Sequence, residues 1–156
     1  MSLSIGDKAP NFTLPDQEGQ EHTLSAYKGS PVVLYFYPKD HTSGCTTEAC
    51  GFRDDYSAYQ KAGVTILGVS PDSPKTHTNF IAKHDLPFTL LADTEREVLK
   101  LYGAWGLKKM YGREYEGVLR TTFLIGADGK IAKIYEKVKP AAHSAEILAD
   151  LKELEA

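Results

Sequence analysis

Both cysteines of this 156-residue chain lie in one short stretch, "YPKDHTSGCTTEAC", which covers residues 37–50. Cys45 and Cys50 are five positions apart, which differs from the Cys-x-x-Cys spacing of many redox helices. Two close thiols can do redox chemistry, because a thiolate can react with an oxidant and the second thiol can then condense with the oxidised sulfur. The alternative is that Cys45 is an inert buried thiol and Cys50 a small core residue.

The elements that must position Cys45 favour a reactive thiol. A continuous β-branched and aromatic run over residues 31–37 predicts a buried strand. Apolar residues every three or four positions then predict a helix over residues 45–62, which ends before Gly63. Cys45 is therefore expected in the first turn of a helix, where unpaired N–H groups and the helix dipole stabilise an anion. A thiol there is expected to form the nucleophilic thiolate more readily.

The spacing of the two cysteines predicts that this helix must unwind before they can bond. In a regular helix their Cα atoms would lie roughly 8.6 Å apart, which is beyond the roughly 7 Å that a disulfide can span. Gly44 and Gly51 weaken both edges of the segment, which agrees with a helix end that can melt. Such an arrangement suits a thiol that reacts first with another molecule and bonds to Cys50 afterwards.

The rest of the chain alternates between strand and helix patterns. Segments "PNFTL" and "EHTL" predict an N-terminal hairpin, and an Asp128-Gly129 turn predicts a second hairpin near the C-terminus. The remaining predicted elements are strands over 64–70 and 87–93, a helix over 73–84, a helix whose capping box pairs Thr94 with Glu97, and a C-terminal helix with the apolar stripe Ile147, Leu148, Leu151 and Leu154. This order favours an α/β, thioredoxin-like fold with a mixed central β-sheet flanked by helices.

Composition sets limits on the class of protein. Residues 1–156 are expected to form a single domain, with 42% hydrophobic and 25% charged residues. The net charge of −3 and scattered basic residues do not indicate a nucleic-acid partner. No apolar run approaches the roughly 20 residues of a membrane span, and no signal-peptide pattern is visible. We therefore expect a cytoplasmic protein whose two cysteines are a catalytic pair and not a structural disulfide.

The stretch from Pro38 to Cys45 resembles the Pro-x-x-x-Thr-x-x-Cys signature of peroxiredoxins. The spacing to Cys50 and the segment "CTTEACGFRD" are similar to the Q-type branch, the bacterioferritin comigratory proteins. The resemblance continues over nearly the whole chain, through "GDKAPNFTL", "GVSPDS", "KKMYGREYEGV" and "RTTFLIGADGKI". It implies a thioredoxin fold and reduction of hydrogen peroxide and organic hydroperoxides without a metal, haem or flavin cofactor. It further implies recycling by thioredoxin or a similar dithiol donor, and a monomeric state.

The resemblance also assigns roles to individual residues. Cys45 matches the peroxidatic cysteine and Cys50 the resolving cysteine. Four further positions match. The hydroxyl of Thr42 would contact the peroxide and the thiolate, and Pro38 would shield the pocket. Arg120 would pair with the thiolate, and Glu48 would help to orient the arginine. Two positions depart from the family pattern, Ser43 in place of a frequent Pro and His41 in place of a smaller polar residue.

Several residues also have simpler interpretations. Arg120 in the strand "LRTTFLI" could face solvent at a sheet edge, and Thr42 could be only a helix cap. His41 could assist Cys45 as a Cys–His pair, although a solvated loop histidine is the more common case. The aromatic stretch 105–117 is long enough for a functional lid or a packed surface loop, with Trp105, Met110 and Tyr111 as candidates for the pocket border.

Three functions are compatible with these features. The first is a two-cysteine thiol peroxidase. The second is a general thiol-disulfide oxidoreductase, which the five-residue spacing and Thr42 argue against. The third is a non-catalytic binding or chaperone module with an incidental disulfide. The five histidines show no ligand spacing with the cysteines, so a metal site is not expected.

Overall fold

The computed structural model describes residues 3–110, 112–136 and 138–155. Its strands are β1 (Thr13–Pro15), β2 (Glu21–Thr23), β3 (Val32–Phe36), β4 (Thr65–Ser70), β5 (Thr89–Ala92), β6 (Trp105–Met110), β7 (Arg113–Val118), β8 (Thr121–Ile125) and β9 (Ile131–Glu136). Its helices are α1 (Ser43–Asp54), α2 (Tyr56–Lys61), α3 (Pro74–His84), α4 (Glu97–Leu101) and α5 (His143–Glu155), with a short 3-10 helix at Leu24–Tyr27. Within these described residues, no helix is both long and apolar enough to cross a membrane.

Five strands form the central sheet, in the order β5-β4-β3-β8-β9. β3, β4 and β5 are parallel, whereas β8 pairs antiparallel with both β3 and β9. The predicted mixed sheet flanked by helices is therefore confirmed. The predicted hairpins are present as β1–β2 and β8–β9. β3 lies at the centre of the sheet, paired with β4 on one side and β8 on the other, and it leads into the loop before α1.

The residues of β3 alternate between two apolar cores. Leu34 and Phe36 pack on one side of the sheet, and Val33 and Tyr35 pack on the other side, against Phe52 of α1. All five residues of β3 are buried, as the sequence predicts. Because side chains alternate along a strand, β3 contributes residues to both cores. This packing anchors the point at which the following loop begins.

The predicted helix over residues 45–62 is wrong as a single element. Two helices stand there, α1 beginning at Ser43 and α2 ending at Lys61, and Asp55 separates them with a φ of −96° and a ψ of 6°. The cause is a contact with the C-terminal helix, since the Ser144 hydroxyl donates to Asp55 Oδ2 at 2.8 Å. Tyr59 in α2 also donates to the Ser144 carbonyl at 2.8 Å. These bonds fix the turn between the two helices.

Two further predictions are wrong. The capping box does not form, because α4 begins after Arg96, and Asp93 Oδ2 accepts from the Leu99 N–H instead. Residues 105–117 are not an irregular loop but belong to the antiparallel hairpin β6–β7, in which Met110 pairs with Arg113. Gly112, with a φ of 76°, supplies the left-handed residue that a two-residue turn needs. Tyr111 and the side chains of Met110 and Leu154 lie outside the described residues.

Candidate active site

Cys45 is the third residue of α1, so the predicted position in the first turn of a helix is confirmed. Its side chain is buried, with 1% of the residue exposed, and Cys50 on the same helix is half-buried. Both cysteines are free thiols. One continuous helix thus holds the two sulfurs apart, and a Cys45–Cys50 bond requires part of α1 to unwind.

Arg120 joins Cys45 to Glu48. Its Nη2 donates to the Cys45 sulfur at 3.2 Å, and its Nη1 donates to Glu48 Oε1 at 2.7 Å. Arg120 lies just before β8 and not within the strand, and only 19% of its side chain is exposed, so the solvent-facing interpretation is wrong. A guanidinium is permanently charged and carries several N–H donors in a fixed plane, so it can hold a thiolate and a carboxylate together.

Glu48 lies one turn after Cys45 and is fully buried. Burial raises the pKa of its carboxyl to about 7, although the charge of Arg120 acts in the opposite direction. Burial alone would lower the pKa of Arg120, but attraction to Glu48 and Cys45 outweighs it and raises that pKa. Among the described residues, neither Glu48 Oε2 nor the buried Tyr35 hydroxyl has a hydrogen-bond partner. The cluster therefore has one fixed positive charge and two acidic groups, Cys45 and Glu48, that compete for it.

Gly44 allows Arg120 to approach α1, a role that sequence reasoning missed. A Cβ atom at this position would lie 3.3 Å from Arg120 Nη2, which is closer than ordinary van der Waals contact. The sequence predicts that Gly44 weakens the edge of the helix. The close approach of Arg120 is a second reason for a glycine at this position. The signal available was a glycine directly before Cys45, but Arg120 lies too far along the chain for the sequence alone to connect them.

Thr42 occupies the N-cap position of α1 but makes no side-chain cap hydrogen bond, so the helix-cap interpretation is not the reason for its hydroxyl. That hydroxyl donates to the Lys39 carbonyl at 2.8 Å, and Thr42 is exposed. Because the hydroxyl hydrogen is already used, the remaining capacity of the oxygen is to accept a hydrogen bond. Pro38 is half-buried at the start of the same loop, directly after the buried Tyr37, and its shielding role stays a prediction.

The other candidate residues lie around this cluster and not in it. His41 is exposed and packs the edge of its ring against Phe80, with ring centroids 5.2 Å apart. Trp105 belongs to the opposite core, where the Arg96 guanidinium stacks over its ring. Lys108, which sequence reasoning also missed, lies near Arg120; burial and then the charge of Arg120 lower its pKa.

A cavity of about 450 Å³ opens beside Arg120. Its polar lining includes Lys108 and Thr121, and its apolar walls come from Tyr102, Leu119, Phe123, Ile134 and Val138. Cys45 is not among its lining residues, so the cavity adjoins the arginine and not the sulfur itself.

Asp40, between β3 and α1, lies close to two other residues of types that bind metals. The ligand atoms of Asp40, Asp72 and His77 lie within 4.8 Å of one another. Hydrogen bonds already engage these atoms. His77 bonds to Asp40 and to the Leu91 carbonyl, and Asp72 Oδ2 accepts from the Asp40 N–H and from Ser70. Among the described residues, this cluster is satisfied by protein groups alone.

Comparison with known proteins agrees with this geometry. The model of the AhpC/TSA family matches residues 5–134. The putative peroxiredoxin bcp of Coxiella burnetii is 51% identical over 151 residues, which cover 97% of this chain and 100% of that protein.

Solved structures give the same result. The structure of a PrxQ mutant of Xylella fastidiosa has a TM-score of 0.94 at 35% identity and covers 100% of this chain and 99% of that one. The bacterioferritin comigratory protein of Xanthomonas campestris, studied for its alkyl peroxide reduction activity, has a TM-score of 0.88 at 39% identity, with 93% and 92% of the two chains covered. The chain therefore belongs to the AhpC/TSA family as a peroxiredoxin of the Bcp and PrxQ type, a thiol peroxidase that reduces peroxides with electrons from a thiol reductant.

Proposed function

We propose that Cys45 is the sulfur that attacks the peroxide and that Cys50 resolves the product. The observation that carries this assignment is the Arg120 guanidinium, which donates to the Cys45 sulfur and to Glu48 at the same time. A fixed cation beside a thiol in the first turn of a helix favours the thiolate, which is the reactive form.

In the first step, the thiolate attacks the terminal oxygen of the peroxide. A sulfur–oxygen bond forms, the O–O bond breaks, and the leaving oxygen departs as an alcohol or water after taking up a proton. Charge builds on that leaving oxygen, and the N–H groups of Arg120 are donors that can stabilise it in the transition state. Thr42, which donates to the Lys39 carbonyl, can accept a hydrogen bond from the O–H of the peroxide. We assign Glu48 the role of orienting Arg120, and Pro38 that of covering the loop side of the sulfur.

In the second step, α1 unwinds and the Cys50 thiol attacks the sulfenic acid of Cys45. A sulfur–sulfur bond forms and water leaves. A dithiol donor then reduces the disulfide through a mixed disulfide and restores both thiols. We propose thioredoxin or a similar protein as this donor, hydrogen peroxide and organic hydroperoxides as substrates, a monomeric state, and the cytoplasm as the compartment, where a pair of free cysteines is kept reduced.

The test is to add one equivalent of hydrogen peroxide to the reduced protein and to follow free thiols and intact mass. We expect the wild-type protein to lose both thiols within seconds, and the Cys50→Ser variant to accumulate a sulfenic acid on Cys45. Turnover with thioredoxin, its reductase and NADPH then identifies the donor, with glutathione and glutaredoxin as the comparison. Thiols that survive for many minutes in both proteins would contradict these assignments.

A further inference from the structure

Asp40, in the loop between β3 and α1, is bonded through both its side chain and its backbone. Its Oδ1 accepts from the Tyr37 hydroxyl at 2.6 Å, and its Oδ2 lies 2.6 Å from His77 Nδ1. Its backbone N–H donates to Asp72 Oδ2 at 2.8 Å. The side chains of Asp40 and His77 are both fully buried. This loop residue is therefore tied to Tyr37, directly after β3, to the β4–α3 connection and to α3.

The His77 ring is held in a single orientation. Its Nε2 lies 3.0 Å from the Leu91 carbonyl, which can only accept, so this nitrogen donates. Its Nδ1 lies 2.6 Å from Asp40 Oδ2, while Asp40 Oδ1 accepts from Tyr37, so the polar atoms of both side chains have partners inside the protein. Buried polar pairs are costly compared with apolar packing, and fixing one specific arrangement is the best-attested reason to keep one.

The segment that this pair holds carries two of the residues proposed to act on the peroxide. Pro38 and Thr42 lie two positions before and two positions after Asp40. Between them, His41 has a φ of 65°, a left-handed conformation that is uncommon for residues other than glycine, although histidine adopts it more often than most. A strained turn persists where its surroundings determine it, and the bonds to Asp40 do so here.

We propose that Asp40 and His77 are positioning residues of the peroxidase, which fix the loop Pro38–Thr42 against α3 so that the Thr42 hydroxyl faces the peroxide. This proposal rests on the role given to Thr42 above. Both residues lie outside α1, so the pair holds its position while α1 unwinds. The attack on the peroxide therefore requires the loop Pro38–Thr42 in its present position. The condensation of Cys45 with Cys50 does not depend on the position of this loop.

The chain offers a matched control for this pair. Asp16, in the N-terminal hairpin, is also buried and lies 2.7 Å from a histidine, His22, whose other nitrogen contacts the Tyr27 hydroxyl at 2.6 Å. This second cluster contains the same three residue types, although its tyrosine contacts the histidine and not the aspartate. None of its described hydrogen bonds reaches the loop Pro38–Thr42. Replacing Asp16 therefore reports the general cost of losing a buried aspartate.

The experiment measures the two chemical steps separately in stopped-flow single turnovers, for Asp40→Ala, Asp40→Asn and Asp16→Ala. We expect Asp40→Ala to slow the oxidation of Cys45 by about 10- to 100-fold, the effect of a misplaced contact at a reacting centre. The formation of the Cys45–Cys50 disulfide should not become slower. Asp40→Asn should stay within about threefold of the wild type, because its amide oxygen can still accept from Tyr37 and its N–H can donate to His77 Nδ1.

A wild-type rate of Cys45 oxidation in Asp40→Ala overturns the proposal. So does an equal slowing of that oxidation in Asp40→Asn, which would indicate a role of charge and not of position. An equal slowing in Asp16→Ala overturns it as well. Urea denaturation checks that each variant is folded. If Asp40→Ala does not fold, His77→Gln replaces it, and a wild-type oxidation rate in that variant also overturns the proposal. Failure of the proposed function itself is distinguishable, because Cys45 of the wild-type protein would then not be oxidised at all.

Discussion

Gly51 provides a direct test of whether α1 must unwind during the catalytic cycle. It lies inside α1, one position after Cys50, and a Cβ atom there would meet only Ser144 Cβ, at the ordinary contact distance of 3.8 Å. Gly51→Ala therefore introduces no clash. Because glycine inside a helix costs roughly 0.5–1 kcal/mol relative to alanine, the variant should stabilise the helical form by about that amount.

The expected effect is confined to one step. If the unwound form is needed for the disulfide, a stabilisation of 0.5–1 kcal/mol lowers its population about 2- to 5-fold, since 1.4 kcal/mol corresponds to tenfold. The conversion of the Cys45 sulfenic acid to the disulfide should slow by the same factor. The oxidation of Cys45 by peroxide should be unchanged, because the added methyl group faces Ser144 and not Arg120.

The assay is a single turnover with one equivalent of hydrogen peroxide, in which acid quench and mass spectrometry separate thiol, sulfenic acid and disulfide. The matched control is Ala58→Gly in α2, an exposed site beyond the break at Asp55, which changes helix propensity outside the segment between the cysteines. A Gly51→Ala variant that forms the disulfide at the wild-type rate, or an Ala58→Gly variant that slows or speeds it as strongly, would refute the unwinding step.

Three further predictions concern the cluster around Arg120. Because burial raises the pKa of Glu48 from 4.5 to about 7, its proton stabilises the fold fully below pH 4.5, and this contribution, about 3 kcal/mol, is lost as the pH rises to 7. Urea denaturation between pH 4.5 and pH 8 should therefore show a flatter profile for Glu48→Gln, and identical slopes would contradict the assignment. Arg120→Lys should slow the oxidation of Cys45 by about 100-fold or more, since the donors of an ammonium all lie on one nitrogen and cannot reproduce the two separate nitrogens that reach Cys45 and Glu48; stopped-flow rates within threefold of the wild type would exclude this role. Gly44→Ala should favour the helix yet slow that oxidation by about 3- to 10-fold, because the added Cβ would lie 3.3 Å from Arg120 Nη2 and push the guanidinium out of place. A Gly44→Ala variant that is more stable than the wild type and oxidises Cys45 at the same rate would show that the close approach of Arg120 to α1 is not needed.

Local patterns were sufficient to predict most of the elements that carry the site. The run in β3 is buried on both faces, and the Ser73 cap with Pro74 at the first helical position opens α3 as predicted. The first-turn position of Cys45 follows from the same kind of reasoning, because strand, loop and helix succeed one another within a short stretch of chain. These features depend on neighbours in sequence.

The features that were not predicted depend on residues far apart in the chain. The break at Asp55 requires Ser144, which is 89 positions away, so a periodic apolar pattern cannot reveal it. The closeness of Gly44 to Arg120 is equally invisible before the chain is folded. The contact between His77 and Asp40, which are 37 positions apart, likewise appears only in the folded chain. The hairpin β6–β7 was missed because its strands carry few buried side chains to give an alternating pattern.

The break at Asp55 also bears on how long each protein molecule survives. Unfolded segments are where proteases cut, and susceptibility follows the fraction of time that a segment is open. If α1 unwinds as proposed, we expect the opening to stop at Asp55, after at most the 12 residues of α1, because Asp55 and Tyr59 are bonded to Ser144 on the C-terminal helix. Phe52, fully buried near the end of α1, holds the last turn in the core. If the proposed unwinding occurs in every cycle, it should therefore expose a single short stretch of backbone to degradation and leave the rest of the molecule folded.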